Sequence, residues 1–112
     1  MPSRIEGAKV LVVTPNPESP RRSALATALS GADHHAELST GIGVARVRAR
    51  VLAGQGAEIK AAFLDFPLSH SLFVTPEAES LVTELQQLFP NIKLVEALGV
   101  DPEEIARRVT DF

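Results

Sequence analysis

The sequence predicts an α/β fold, a parallel β-sheet with helices on both faces, and three observations predict it. Val10-Leu11-Val12-Val13 is a continuous aliphatic and β-branched run rather than an alternating one, the pattern of a strand buried on both faces. Segments with apolar residues at helical spacing, each closed by Gly or Pro, fall between the strand candidates. The two kinds of segment alternate four times with short connections, which implies right-handed crossovers and a three-layer α-β-α arrangement. The chain has 112 residues, 45% of them apolar, enough for one core of this kind and too few for two.

Each element has a local reason. Residues 1–8 form a mixed head with no pattern, expected to fray, and residues 9–112 form the domain. Pro15 and Pro17 end the first strand. Ser19 before Pro20 is an N-cap followed by a first-turn proline; Ala24, Leu25, Ala28 and Leu29 mark one helical face, and Gly31 suits a left-handed exit. Residues 34–39 alternate weakly and carry His35 and Glu37, as an edge strand would. Residues 41–53 fit two periods: Arg46, Arg48 and Arg50 alternate with Val47, Ala49 and Val51, whereas Val44, Val47 and Val51 make a helical stripe. Length, the Gly54-Gln55-Gly56 stop and the stronger strand at 59–66 decide for a helix. Thr75-Pro76 repeats the cap and proline before Leu81, Val82, Leu85 and Leu88, and Phe89-Pro90 ends that run. Residues 91–97 are the next strand. Asp101-Pro102-Glu103-Glu104 gives a third cap with the spacing of a capping box, and Ile105, Ala106 and Val109 face inward.

Composition excludes several kinds of function. With 11 Lys and Arg against 14 Asp and Glu, no uniform basic field draws in nucleic acid or anionic lipid. The absence of cysteine removes disulfides, thiolate metal sites and thiol nucleophiles together. No Trp or Tyr offers a stacking platform, no apolar run is long enough for a membrane span, and no secretory signal pattern opens the chain, so a cytoplasmic location is expected. In a parallel α/β sheet, chemistry collects at the carboxyl ends of the strands, here Thr14, Asp65 and Leu98 and the loops after them.

These residues resemble a known family, the response-regulator receiver domain, with its CheY-like fold, of two-component signalling. The likeness runs from about Lys9 to Val109. Lys9-Val10-Leu11-Val12-Val13, then Asn16-Pro17-Glu18-Ser19 and Arg21-Arg22, resemble the receiver's first strand and loop, and residues 25–32 its first helix. Residues 41–52 sit where its second helix runs. Ile59-Lys60-Ala61-Ala62-Phe63-Leu64-Asp65 looks like the third strand delivering an aspartate to the sheet's carboxyl edge. Glu84-Leu85 and Phe89-Pro90-Asn91-Ile92 are similar to the helix and strand that follow. The resemblance implies a CheY-like, flavodoxin-like sheet of order 2-1-3-4, one βα unit short of the family's five, with the tail open to two registers, as fourth or as fifth strand.

The resemblance also implies chemistry: phosphoryl transfer to Asp65, with Mg²⁺ held by an acidic pair at the end of the first strand. Thr14 and Pro15 stand where that pair belongs, and Glu18 is the one acid nearby. A neutral hydroxyl and a proline ring leave a hard cation short of carboxylate oxygens. The family's lysine at the end of its last strand has no counterpart either: Lys9, Lys60 and Lys93 lie elsewhere, and Leu98 replaces a polar residue in both registers. The expectation is a pseudo-receiver that keeps the scaffold without the switch: no enzyme, no cofactor, and Mg²⁺ only if phosphorylation persists. It would work by protein–protein contact, with a histidine kinase or output protein as partner, or with a second copy as a homodimer, because a sheet short of one unit exposes an edge. Leu98, Phe66 and His70 are the candidate contact residues.

Two alternatives stay open: a phosphorylatable receiver using Asp65, with Asp65 and Glu18 as metal ligands, and a flavodoxin-like small-molecule or phosphate-binding domain using Thr14, Asn16 and Ser19 at a helix N-terminus. Pro15 and Pro17 remove backbone donors from that loop. His34 and His35, adjacent on a strand, point to opposite faces and cannot share an ion. Ser69-His70-Ser71 lacks the acid and glycine elbow of a nucleophile site. Arg46, Arg48 and Arg50 read as a solvated face, with Arg46 and Arg50 on one side of the helix and Arg48 on another.

Overall fold

In the computed structural model, residues 9–15, 20–30, 36–66 and 76–112 are described. They form β1 (Val10–Thr14), α1 (Pro20–Leu29), β2 (Ala36–Thr40), α2 (Ile42–Gly54), β3 (Ala61–Leu64), α3 (Pro76–Leu88), β4 (Lys93–Glu96) and α4 (Pro102–Val109). The four strands make one parallel sheet in the order β2-β1-β3-β4. The expected α/β architecture and strand order are therefore present, in four βα units.

The side-chain period of two divides each central strand between two cores. Leu11, Val13, Ala62 and Leu64 face α2 and α3, where Ala45, Ala49, Leu52, Leu81 and Leu85 meet them. Val10, Val12, Ala61 and Phe63 face α1 and α4, against Leu25, Leu29, Ile105 and Val109. Phe63 anchors this second core: the Phe112 ring meets it edge-on at 6.0 Å, and the Arg108 guanidinium lies 5.6 Å from its centroid. Both helix layers cover β1 and β3, whose residues are all buried, while β2 and β4 form the edges.

α2 settles the ambiguous stretch as a helix, but its valine stripe is not the core face. Ala45, Ala49 and Leu52 are buried, and Val44, Val47 and Val51 face outward. Gly41 starts the helix with φ 97°, a conformation that favours glycine, while its N–H donates to the Thr14 carbonyl at 2.7 Å, closing the β2–α2 turn over the end of β1. Gly56, with φ 82°, performs the matching exit. The strand expected at 59–66 is shorter at both ends: it runs from Ala61 to Leu64, and the chain bends at Asp65 and Phe66. At α4, Asp101 caps as expected, accepting from Glu103 N–H at 2.9 Å, whereas Glu104 pairs with Arg107 rather than reaching back to close a capping box. The expected head at 1–8, the caps Ser19 and Thr75, Gly31, and the pair His34-His35 lie outside the described residues. No described helix is long and apolar enough to cross a membrane.

Candidate functional site

Strand register assembles the site. Val13 is opposite Leu64, and Leu64 is opposite Glu96, so the next residues of the three strands, Thr14, Asp65 and Ala97, form a row at the sheet's carboxyl edge. The Asp65 N–H donates to the Val13 carbonyl at 2.9 Å and the Ala97 N–H to the Leu64 carbonyl at 2.8 Å, so the row is an extension of the ladder. Strand parity points Thr14 and Asp65 toward the layer of α1 and α4. α1 begins at Pro20, so the second residue of its first turn, Arg21, lies beside them.

The Arg21 guanidinium spans the row. Its Nε donates to Asp65 Oδ2 at 2.8 Å, and its Nη2 donates to the Ala97 carbonyl at 2.8 Å. Thr14 Oγ1 donates to the same Asp65 Oδ2 at 3.2 Å. One cation thus ties the start of α1 to the ends of β3 and β4. Asp65 is 7% exposed and the Arg21 side chain 24%. A carboxylate buried this far needs a compensating charge and hydrogen bonds, and the chain supplies both from within. Asp65 Oδ1 is buried with no hydrogen-bond partner among the described residues.

This arrangement does not suit a divalent cation. Mg²⁺ prefers a near-octahedral shell of hard oxygens and usually draws on one or two carboxylates, whereas Asp65 already faces a guanidinium and its neighbours Thr14 and Pro15 carry no charge. Among the described residues no group of three His, Cys, Asp or Glu could hold a metal ion. Glu18, the other residue named for such a site, lies outside the described residues, as do His70 and the Asn16 and Ser19 of the expected phosphate loop.

Of the three candidate contact residues, Leu98 is 52% exposed and follows the Ala97 that Arg21 grips. Phe66 is 6% exposed: its ring belongs to the core beneath α2 and α3, so the contact role expected of it has no surface to act through. In the sequence, Arg21 carries only part of the likeness to the receiver's first loop and gives no sign of its pairing with Asp65. The available signal was positional, since a basic residue in the first turn of the helix after β1 falls beside the end of β3 once that strand is β1's neighbour.

A second charged cluster lies on the opposite helix layer. Glu84 of α3 accepts from Arg46 Nε at 2.9 Å and is paired by Arg50, while Arg48 pairs with Glu37 of β2. Arg46 and Arg50 do share one side of the helix and Arg48 does not. The Arg50 guanidinium, aided by Arg46, holds the Glu84 carboxyl below the usual carboxylate range, and Glu37 raises Arg48 above its ordinary value.

No protein-family model, no curated protein and no solved structure matches the chain.

Proposed function

We propose that this chain is a receiver-like interaction module of a signalling pathway that works through protein–protein contacts and without phosphoryl transfer. The observation that carries this reading is the Arg21–Asp65 pair. A phosphoryl donor is itself anionic, so attack by a carboxylate requires an approachable oxygen and a hard cation that neutralises both partners. Here the positive charge is covalently part of α1, it is fixed a second time by the Ala97 carbonyl, and Asp65 is 7% exposed. To admit a metal, the guanidinium would have to leave both Asp65 and the Ala97 carbonyl, and the incoming cation would find a single carboxylate to hold it. The fold supports the same reading, because a doubly wound sheet with its carboxyl-edge acid neutralised keeps a rigid surface for recognition.

The test is intact mass and oligomeric state after incubation with acetyl phosphate, or with beryllofluoride, in the presence of Mg²⁺. The expected result is no adduct and no change in state. A stoichiometric phosphoryl adduct that disappears in Asp65→Asn would replace this reading with a working switch.

A further inference from the structure

We infer that the groove at the amino edge of the sheet, between residues 57–60 and 88–91, is a docking site for an acidic segment of a partner protein that carries a large apolar side chain. The inference rests on reading the chain as an interaction module and names a surface and the chemistry of its occupant. The groove has a volume of about 440 Å³, within the ~300–1,000 Å³ of ordinary ligand pockets. Ile59, Leu88, Phe89 and Pro90 give it an apolar lining, and Glu58, Lys60 and Asn91 supply its polar groups. It lies at the opposite end of the strands from Asp65.

Charge selects the occupant. The chain has three lysines, and the parallel strands gather them at this edge: Lys60 N–H donates to the Lys9 carbonyl at 2.7 Å, and Lys93 N–H to the Lys60 carbonyl at 2.9 Å. The register sets Lys9 beside Lys60, and strand parity turns both toward the α2 and α3 layer, where the groove is, with Lys93 on the other side of the edge. Neighbouring like charges repel, and among the described residues no carboxylate pairs with any of the three. The arginines differ. Arg21, Arg46, Arg48, Arg50 and Arg107 each meet an acid of the chain, and Arg108 lies over Phe63. Apart from Arg22, the cations left uncompensated among the described residues are therefore these lysines, in a chain whose net charge is −3.

The two features ask for one ligand, with carboxylates for the lysines and an apolar side chain for the groove. Glu58 is the one acid among the lining residues and stands two positions before Lys60. It opposes an unbroken polyanion, so a peptide with spaced acids fits better than a nucleic-acid backbone. The surface is small and its lysines are solvated, so binding is weak and salt-dependent.

Amide chemical-shift mapping on the whole chain tests this with the peptide acetyl-Glu-Glu-Leu-Phe-Glu-amide and a twin in which every Glu is replaced by Lys. Lys60→Glu reverses the charge at the groove, and Arg22→Glu makes the same change in α1. Both positions are exposed, so both variants fold, which unfolding midpoints check. The expected result is saturable shifts at Lys60, Leu88, Phe89 and Asn91, a dissociation constant at least tenfold weaker in Lys60→Glu and within about twofold of wild type in Arg22→Glu, and no saturable shift with the twin. No binding through millimolar peptide, equal losses in the two variants, or equal binding of the twin overturns the proposal. A peptide that binds only after residues 1–8 are removed would give the groove to the chain's own head, and tighter binding of an oligothymidylate at the same amides would give it to nucleic acid; either result overturns the acidic partner. None of these outcomes touches the module reading, which fails separately through phosphorylation of Asp65.

Discussion

The carboxyl edge of the sheet and the outer face of α2 answer the same problem in opposite ways. At the sheet edge a charge is buried, and the chain brings its own counter-charge: Arg21 and Thr14 converge on one oxygen of Asp65. On α2, apolar surface is exposed: Val44 and Val47 are more than half exposed and Val51 more than a third. Among the described residues, the acid at the sheet's carboxyl edge is paired within the chain, and the valine stripe of α2 is left exposed. The difference teaches where to look for activity: groups already neutralised hold the fold together, whereas surface left unsatisfied is what a partner can use.

The sharpest break in this comparison is Arg21→Met, which leaves a buried carboxylate with one hydroxyl for support. The expected loss is about 3 kcal/mol of stability in urea unfolding, at the low end for a buried pair because Arg21 is partly exposed. Arg21→Met with Asp65→Asn should recover most of it, since the amide carries no charge to strand. Thr14→Val keeps the shape, removes the hydroxyl and costs about 1 kcal/mol by the same measurement. On the open side the sign reverses. Gly43→Ala should stabilise the chain by roughly 0.5 kcal/mol in urea unfolding through helix propensity, because a Cβ there meets nothing within 4 Å. The smallest effect concerns Glu84. Arg50 and Arg46 hold its carboxyl below its ordinary value, so its contribution is complete above the unfolded carboxylate range and lost as pH falls through the lower folded value. Urea midpoints between pH 3 and 7 should therefore fall less steeply on the acid side in Glu84→Gln than in the wild type.

The fold was legible because its signals are local and mutually consistent. The unbroken run at residues 10–13 requires cover on two faces, and proline and glycine punctuate the helices that provide it. The site was legible only in part. Asp65 could be placed at a strand end from its own run of residues, but its partner depends on which strand lies beside β1, and that is a property of the whole sheet. Once β3 is fixed as that neighbour, strand parity alone brings Thr14 and Asp65 to one face and Arg21 within reach. The α2 stripe misleads for a related reason: Val44, Val47 and Val51 report a helix through their spacing, yet spacing does not say which side of the helix is buried. Alanines at 45 and 49 take the core because they let α2 lie close to a sheet that already carries Leu11 and Leu64. On α2 the three valines therefore ended outside, while two alanines share the inner face with Leu52.

The central claim is that the Asp65 carboxylate is neutralised by Arg21 and is therefore closed to a hard cation and to phosphoryl groups. A Mg²⁺ titration followed by amide chemical shifts tests it most directly. The account predicts that Thr14, Asp65, Phe66 and Leu98 keep their positions through millimolar Mg²⁺. Saturable, residue-specific shifts at Thr14 and Asp65 in the wild-type chain would contradict it.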